Sequence, residues 1–301
     1  MKRLLCFIFL ASTVTAAQTT VPAQSGLASP ESLLHPSRYQ QYCSGFISKQ
    51  TFSRDKHVIG DSYAPYATRF QTGSTIYLAG KDISVGDRYT ILREISDTNR
   101  QTIFPSQRKL QEQLGHLYQE LGIAVVKKIT EKGIVAEIEF ACDTTVSGDF
   151  LVPFEQREQL YFRPGKKFVA YGVPRSRPSG VIVQGKEFDV ELGKGNIAYV
   201  NLGAKDGLKP GDYLRIVRGY SKSSMPEIDK ISLEAKTRED TQVAPANVGE
   251  ADLDHMPDRG IGECFVITAT PDSSSCLITR SLEAIELGDV VEKDQTQSDQ
   301  E

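Results

Sequence analysis

The chain has 301 residues, 25% of them charged, a formal net charge of −4 and no tryptophan. That mildly acidic balance, with no clustered lysine and arginine, excludes an electrostatic nucleic-acid stripe, so no nucleic-acid partner is expected. The length suits about two domains of ordinary size, each small enough for extra cross-links to matter.

The chain opens with Lys2-Arg3, an unbroken apolar run from Leu4 to Leu10, and the small residues Thr13-Val14-Thr15-Ala16-Ala17. This is the pattern of a cleaved export signal over residues 1–17. The run is too short for a permanent anchor, which takes ~20 apolar residues, and no later stretch is long and apolar enough. The expectation is a periplasmic or secreted protein without a transmembrane segment after cleavage. Residues 18–38, rich in Gln, Thr, Ser, Pro and Ala, read as a flexible leader.

Ordered structure is expected to begin with a strand over Tyr42-Cys43-Ser44-Gly45-Phe46-Ile47, opening a first β repeat domain over 39–154. Turns are expected at Gly80, Asp82 and Gly86-Asp87, because glycine tolerates positive φ and aspartate bonds back to the backbone. Strand periodicity follows from Tyr89 to Leu92. A short helix is predicted to about Leu114, then a strand from about Leu117 to Ile129, a turn at Glu131-Lys132-Gly133, and a partner strand from Val135 to Ala141. Residues 155–195, broken by Pro164-Gly165, Pro174, Pro178-Ser179-Gly180 and Gly185, read as a structured connector holding a small strand at Val181-Ile182-Val183.

A second β repeat domain is predicted over 196–292. Gly211-Asp212-Tyr213-Leu214-Arg215-Ile216-Val217-Arg218 reads like Gly86-Asp87-Arg88-Tyr89-Thr90-Ile91-Leu92-Arg93, and each copy closes on another pair, Gly148-Asp149 and Gly288-Asp289. Within this copy, residues 222–258 hold nine acids against four bases and few large apolar side chains. A segment of that composition does not bury enough apolar area to order itself, so a mobile insertion is expected. Residues 293–301 read as a disordered tail. The predicted fold class is therefore all-β with minor helix, two tandem small β-barrel-like repeat domains.

Four cysteines remain after signal cleavage: Cys43, Cys142, Cys264 and Cys276. Aligning Gly122–Gly148 with Gly262–Gly288 without gaps sets Cys264 on Ala124 and Cys276 on Ala136. A paired gain of this kind is what a disulfide requires, which predicts Cys264–Cys276 between neighbouring strands and leaves Cys43–Cys142. On the chain-entropy estimate the longer loop contributes roughly 4–5 kcal/mol and the shorter about 3. No CxxC or His-rich spacing accompanies the cysteines, so neither metal nor cofactor is expected.

The residues offer no catalytic pattern. His35, His57, His116 and His255 lack a second histidine or carboxylate at ligand spacing, although Asp55 lies near His57. There is no G-x-S-x-G elbow and no Walker loop. Gly193-Lys194-Gly195-Asn196 precedes a strand, not a helix, and reads as a turn. Asp87, Asp149, Asp212 and Asp289 each follow glycine at equivalent turns, where the side chain caps backbone donors. Arg93 and Arg218 are equivalent and are expected to meet acids or cover a barrel end. Tyr63 and Tyr66 flank Ala64-Pro65 as an aromatic pair expected to pack beneath the leader.

Tyr199-Val200-Asn201-Leu202-Gly203, Gly207-Leu208-Lys209-Pro210-Gly211-Asp212, Gly262-Glu263, Thr279-Arg280-Ser281 and Ile285-Glu286-Leu287-Gly288-Asp289 resemble a repeat of exported bacterial envelope proteins. Some of those carry a LysM peptidoglycan-binding module. A more distant similarity is to the C-terminal barrel-like domain of a flagellar T-ring assembly protein. The resemblance covers roughly 76–154 and 196–291. It implies paired barrels in the envelope and no reaction, hence a non-catalytic scaffold or assembly protein whose partners are envelope proteins. Peptidoglycan is the alternative partner, although no LysM-like segment precedes the first copy. An unrecognised hydrolase stands third.

Overall fold

The structure, a computed structural model, describes residues 35–62, 69–97, 102–163, 167–219 and 255–294. The predicted export signal, most of the leader, most of the acidic insertion and the end of the tail lie outside these residues, as do Tyr63 and Tyr66.

The first half of the chain contributes α1 (Arg38–Tyr42), β1 (Phe46–Ser48), β2 (His57–Asp61), β3 (Thr75–Ala79), β4 (Arg88–Ile95), α2 (Gln107–Leu114), β5 (His116–Thr130), β6 (Gly133–Ala141) and β7 (Phe150–Pro153). The second contributes β8 (Ser179–Gly185), β9 (Glu191–Leu192), β10 (Ile197–Val200), β11 (Tyr213–Arg218), β12 (Arg259–Ala269), β13 (Ser274–Ser281), β14 (Ile285–Glu286) and β15 (Val290–Lys293). The all-β class with minor helix is what the structure shows.

Six strands close each barrel, and all neighbours are antiparallel. The first runs β5-β4-β7-β2-β3-β6 and closes because β6 also pairs with β5. The second runs β12-β11-β15-β8-β10-β13 and closes on itself. Matching β2, β3, β4, β5, β6 and β7 to β8, β10, β11, β12, β13 and β15 makes the two orders identical. Closure pairs every strand on both edges, which leaves no bare edge to template aggregation.

Each barrel is in turn two copies of one smaller unit, strand–strand–turn–strand. Exchanging β2-β3-β4 with β5-β6-β7 reproduces the first barrel's strand order, and exchanging β8-β10-β11 with β12-β13-β15 reproduces the second's. The repeat is therefore fourfold, with a Gly-Asp corner entering the third strand of each unit.

Three stretches differ from the sequence reading. The expected strand at Tyr42–Ile47 is the end of a short helix followed by β1. Ser37 caps that helix, its side chain and that of Gln40 each bonding the other's backbone N–H, so the end of the predicted leader is helical. The 155–195 connector contains β8, which sits between β15 and β10; the second barrel thus begins at Ser179, not at 196. The signal was hard to read because β8 enters through Gly180 without a Gly-Asp pair. Finally, Lys293 ends β15 and Asp294 N–H bonds Tyr213 O, so the first residues of the predicted tail are ordered.

The barrels are fused by two devices. In the first, α2 and the residues before it leave the first barrel between β4 and β5 and cover the second. Phe104 joins the second barrel's core with Ile182, Leu208 and Leu287, while Gln107 and Gln111 donate to Val183 O. In the second, β1 pairs with β5 along one edge. Its other edge receives hydroxyls: Tyr199 OH to Ser44 O at 2.9 Å, Ser275 Oγ to Gly45 O at 2.5 Å, and Ser273 Oγ and Thr270 Oγ1 to Ile47 O at 2.7 and 3.0 Å. Ile47, Leu114 and Leu117 pack with Val183, Ile197, Tyr199, Tyr213, Phe265 and Ile267 in one buried cluster across the joint. Gly45 is required here: its φ is +66°, and a Cβ would come within 2.7 Å of Tyr199 OH.

Candidate functional site

The four Gly-Asp corners share one geometry. Gly86, Gly148, Gly211 and Gly288 have φ between +93° and +98°, the third position of a type II turn. Asp87, Asp149, Asp212 and Asp289 donate their N–H back to the carbonyls of Ser84, Val146, Lys209 and Glu286. Their carboxylates accept the N–H of those same residues at 2.8, 2.7, 3.0 and 2.8 Å. Each corner also exchanges two backbone bonds with one residue of a crossing strand: Val126, Val58, Val266 and Ile182.

The equivalent arginines clamp the second corner of each barrel. Arg93 grips Asp149 through Nε and Nη2, both at 2.8 Å, and also donates to Thr144 O. Arg218 grips Asp289 at 2.8 and 2.6 Å and donates to Ala284 O. The bond from Asp149 raises the Arg93 pKa above the ordinary arginine value. Burial opposes the charge of Arg218, but Asp289, Glu286 and Glu283 outweigh it and raise its pKa too. These carboxylates are committed to holding turns and arginines.

The structure bonds Cys43 to Cys142, tying the end of α1 to the end of β6, and Cys264 to Cys276 across β12 and β13. Bonded thiols offer no nucleophile. The histidines do not converge: His35 bonds Pro36 O, His57 lies at the start of β2 and meets Arg54 O, His116 meets Glu94 at 2.7 Å, and His255 is exposed. His57 is thus the first residue of a strand. Gly193–Asn196 is a turn, with the Asn196 carboxamide accepting Gly193 N–H. Among the described residues, no group of three or more His, Cys, Asp and Glu is arranged to hold a metal ion.

What the sequence reading missed is a cleft of about 490 Å³ between α1 and the chain leaving β7. Its wall is a ladder of flat groups. Arg88 lies 4.4 Å over the Phe154 ring, Phe154 stacks on Tyr42 at 5.6 Å, and Arg157 lies 5.3 Å over Tyr42. Such cation–π and ring contacts fix side chains that would otherwise be mobile. Arg38 and Arg88 share one carboxylate at the rim, Glu139, at 3.1 and 2.8 Å. Burial of Glu139 itself pushes its carboxyl up, but the hydrogen bonds and charges of Arg38 and Arg88 together outweigh it and hold the group below its usual range.

Beneath the ladder, Arg157 donates to buried Glu120 and to Gln41 O, and Tyr42 OH accepts Arg157 N–H at 3.0 Å. Glu120 also accepts Gly45 N–H at 3.1 Å. Burial pushes its pKa up, with Arg157 and the Gly45 N–H pulling the other way. This one carboxylate therefore links the first barrel, the β1 segment and the connector. Its partners lie 75 and 37 residues away in sequence, a separation that carries no local signal.

No family model matches the chain. No curated protein matches it either. The barrels, corners and cleft therefore stand as the evidence for function.

Proposed function

We propose that this chain is a non-catalytic, exported protein of a bacterial cell envelope, working as a scaffold or assembly module through protein–protein contacts. The observation that carries the reading is the fusion of two like barrels into one body by a shared apolar cluster and a row of hydroxyl-to-carbonyl bonds. A body of this kind presents two surfaces at a fixed separation, which is what a scaffold supplies to its partners.

Supporting features come from the sequence and the covalent structure. Residues 1–17 have the pattern of an export signal, and both disulfides belong to an oxidising compartment such as the periplasm. No helix among the described residues is long and apolar enough to cross a membrane. The turn carboxylates bond backbone N–H groups and, beside them, Tyr89, Arg93, Lys293 and Arg218, a structural use of each.

Expression of the full chain in a bacterial host, followed by fractionation, N-terminal sequencing and sedimentation with purified peptidoglycan sacculi, tests the reading. The expected result is a processed periplasmic protein that stays in the supernatant and yields discrete protein adducts on cross-linking in cells. An unprocessed cytosolic protein, or one that sediments with sacculi, overturns it in favour of another compartment or of glycan binding.

A further inference from the structure

The cleft beside α1 differs in the sign of its lining from two other grooves among the described residues. Arg38, Arg88 and Arg157 line it, and among the described residues no carboxylate does. The groove at Lys186 also holds Glu187 and Asp189, and the one at Lys49 and Lys205 holds Asp206 and Asp272. In a chain whose net charge is −4, a concavity lined by one sign of charge, the positive, is a local exception.

The ion pairs sharpen the point. Arg157 is matched by buried Glu120. Arg38 and Arg88 share the single carboxylate of Glu139, so the rim carries one guanidinium charge more than it neutralises. Arg38 is 48% exposed, its guanidinium lying 4.5 Å over the Phe140 ring with Nη2 on Glu139; a planar guanidinium is the shape that meets a carboxylate with two parallel bonds. The ladder of Arg88, Phe154, Tyr42 and Arg157 holds the wall in place before anything binds, which lowers the ordering cost of association. Gln156 and Gln159 add side-chain amides, each with a donor and an acceptor, the pair of groups an extended backbone requires.

We infer that this cleft docks an acidic peptide segment of a partner protein, with a carboxylate seated on Arg38 and Arg88 and the neighbouring backbone against the Tyr42–Phe154 wall. The choice of a protein as occupant rests on the scaffold reading above. The preference for carboxylate rests on the cleft alone. Binding of this kind is steered and strengthened by charge, so it weakens as salt shortens the reach of the arginines.

Fluorescence anisotropy of labelled hexaglutamate and hexaglutamine with the processed full-length protein tests this. Hexaglutamate is expected to bind saturably, hexaglutamine far more weakly, and the difference to shrink as salt rises. Arg38→Gln should weaken hexaglutamate by about tenfold, the scale of one lost charge-assisted contact. Lys127→Gln, which removes the same charge outside the lining, should leave it unchanged. Phe154→Leu should weaken it while a circular-dichroism melt reports whether the fold survives.

Equal affinity for the two peptides, or equal loss in Arg38→Gln and Lys127→Gln, overturns the inference. Displacement of hexaglutamate by a soluble muropeptide at lower concentration than by unlabelled hexaglutamate overturns the choice of a protein occupant. Fractionation and sacculus sedimentation use none of these variants, so the scaffold reading and the cleft can fail separately.

Discussion

At the same place in the two barrels, the core is filled in opposite ways. In the first, Tyr89 stands across from Ala124 and Ile76 across from Ala136. In the second, Leu214 stands across from Cys264 and Ala198 across from Cys276. All eight side chains are buried. Alanine sits opposite the larger partner, and the disulfide sits where that partner has shrunk. Core volume is thus shared between facing strands, and the cross-link fits in the second barrel because its neighbours made room. The backbone did not have to change: Val126↔Ala136 and Ala124↔Ile138 in the first match Val266↔Cys276 and Cys264↔Ile278 in the second.

The largest effect should come from removing the cross-link. Cys264→Ala with Cys276→Ala restores the alanines of the first barrel but not their large partners, so it combines a lost short loop with a small void. A cost of about 4 kcal/mol is expected, read as a drop in the urea midpoint by circular dichroism. If restoring the large partners as well, Leu214→Tyr and Ala198→Ile, recovers none of it, the compensation argument fails.

The corners should behave alike where the cores do not. Asp149→Ala and Asp289→Ala each strand an arginine and a turn N–H, at an expected cost of about 3 kcal/mol, reduced from the fully buried case because each arginine is partly exposed. The two losses should agree to within about 1 kcal/mol, the spread of context for like sites. A large loss at one and none at the other would break the equivalence of the barrels.

Transplanting the cross-link is a sharper and smaller test. Ala124→Cys with Ala136→Cys should form a disulfide, detected by non-reducing mass mapping, since the register is already right. Its net gain should stay under about 1 kcal/mol, because overpacking against Tyr89 and Ile76 offsets the entropic benefit. Adding Tyr89→Leu and Ile76→Ala should release a larger gain.

The smallest effect is confined to alkaline pH. Burial, followed by the hydrogen bond and charge of Asp87, pushes the Tyr89 phenol up to about 12. A raised phenol stabilises the fold fully below the unfolded value near 10, and that contribution is lost as pH rises through 12. Tyr89→Phe should therefore show a shallower fall of stability across that window. Burial also raises Tyr199 and Tyr213, so part of the fall should persist in the variant. An unchanged slope would show that Tyr89 does not titrate with folding.

The repeat was legible because its marks are local. Gly-Asp corners impose the same turn wherever they occur, and gap-free alignment set Cys264 and Cys276 on two alanines of the first copy, the paired gain that pointed to their disulfide. The helix ending at Leu114 and the strands flanking Glu131-Lys132-Gly133 followed from periodicity. The joint was not legible. Ser273 and Ser275 look like ordinary polar strand residues until Ile47 O and Gly45 O are placed beside them, 226 and 230 positions away. The cleft was hidden for the same reason: Tyr42 and Phe154 come together only after β1 and β7 are in place. In chain order, residues 222–258 fall between β11 and β12, as α2 falls between β4 and β5.

The bonds along the outer edge of β1 tie the order of synthesis to the order of completion. Gly45 and Ile47 precede the hydroxyls of Thr270, Ser273 and Ser275 by 223 to 230 residues. A nascent chain halted before β12 would hold the carbonyls of Gly45 and Ile47 against water, with nothing to exchange for it. Truncation products are thereby marked by an open flank on β1, and only a chain that extends through Ser275 closes it.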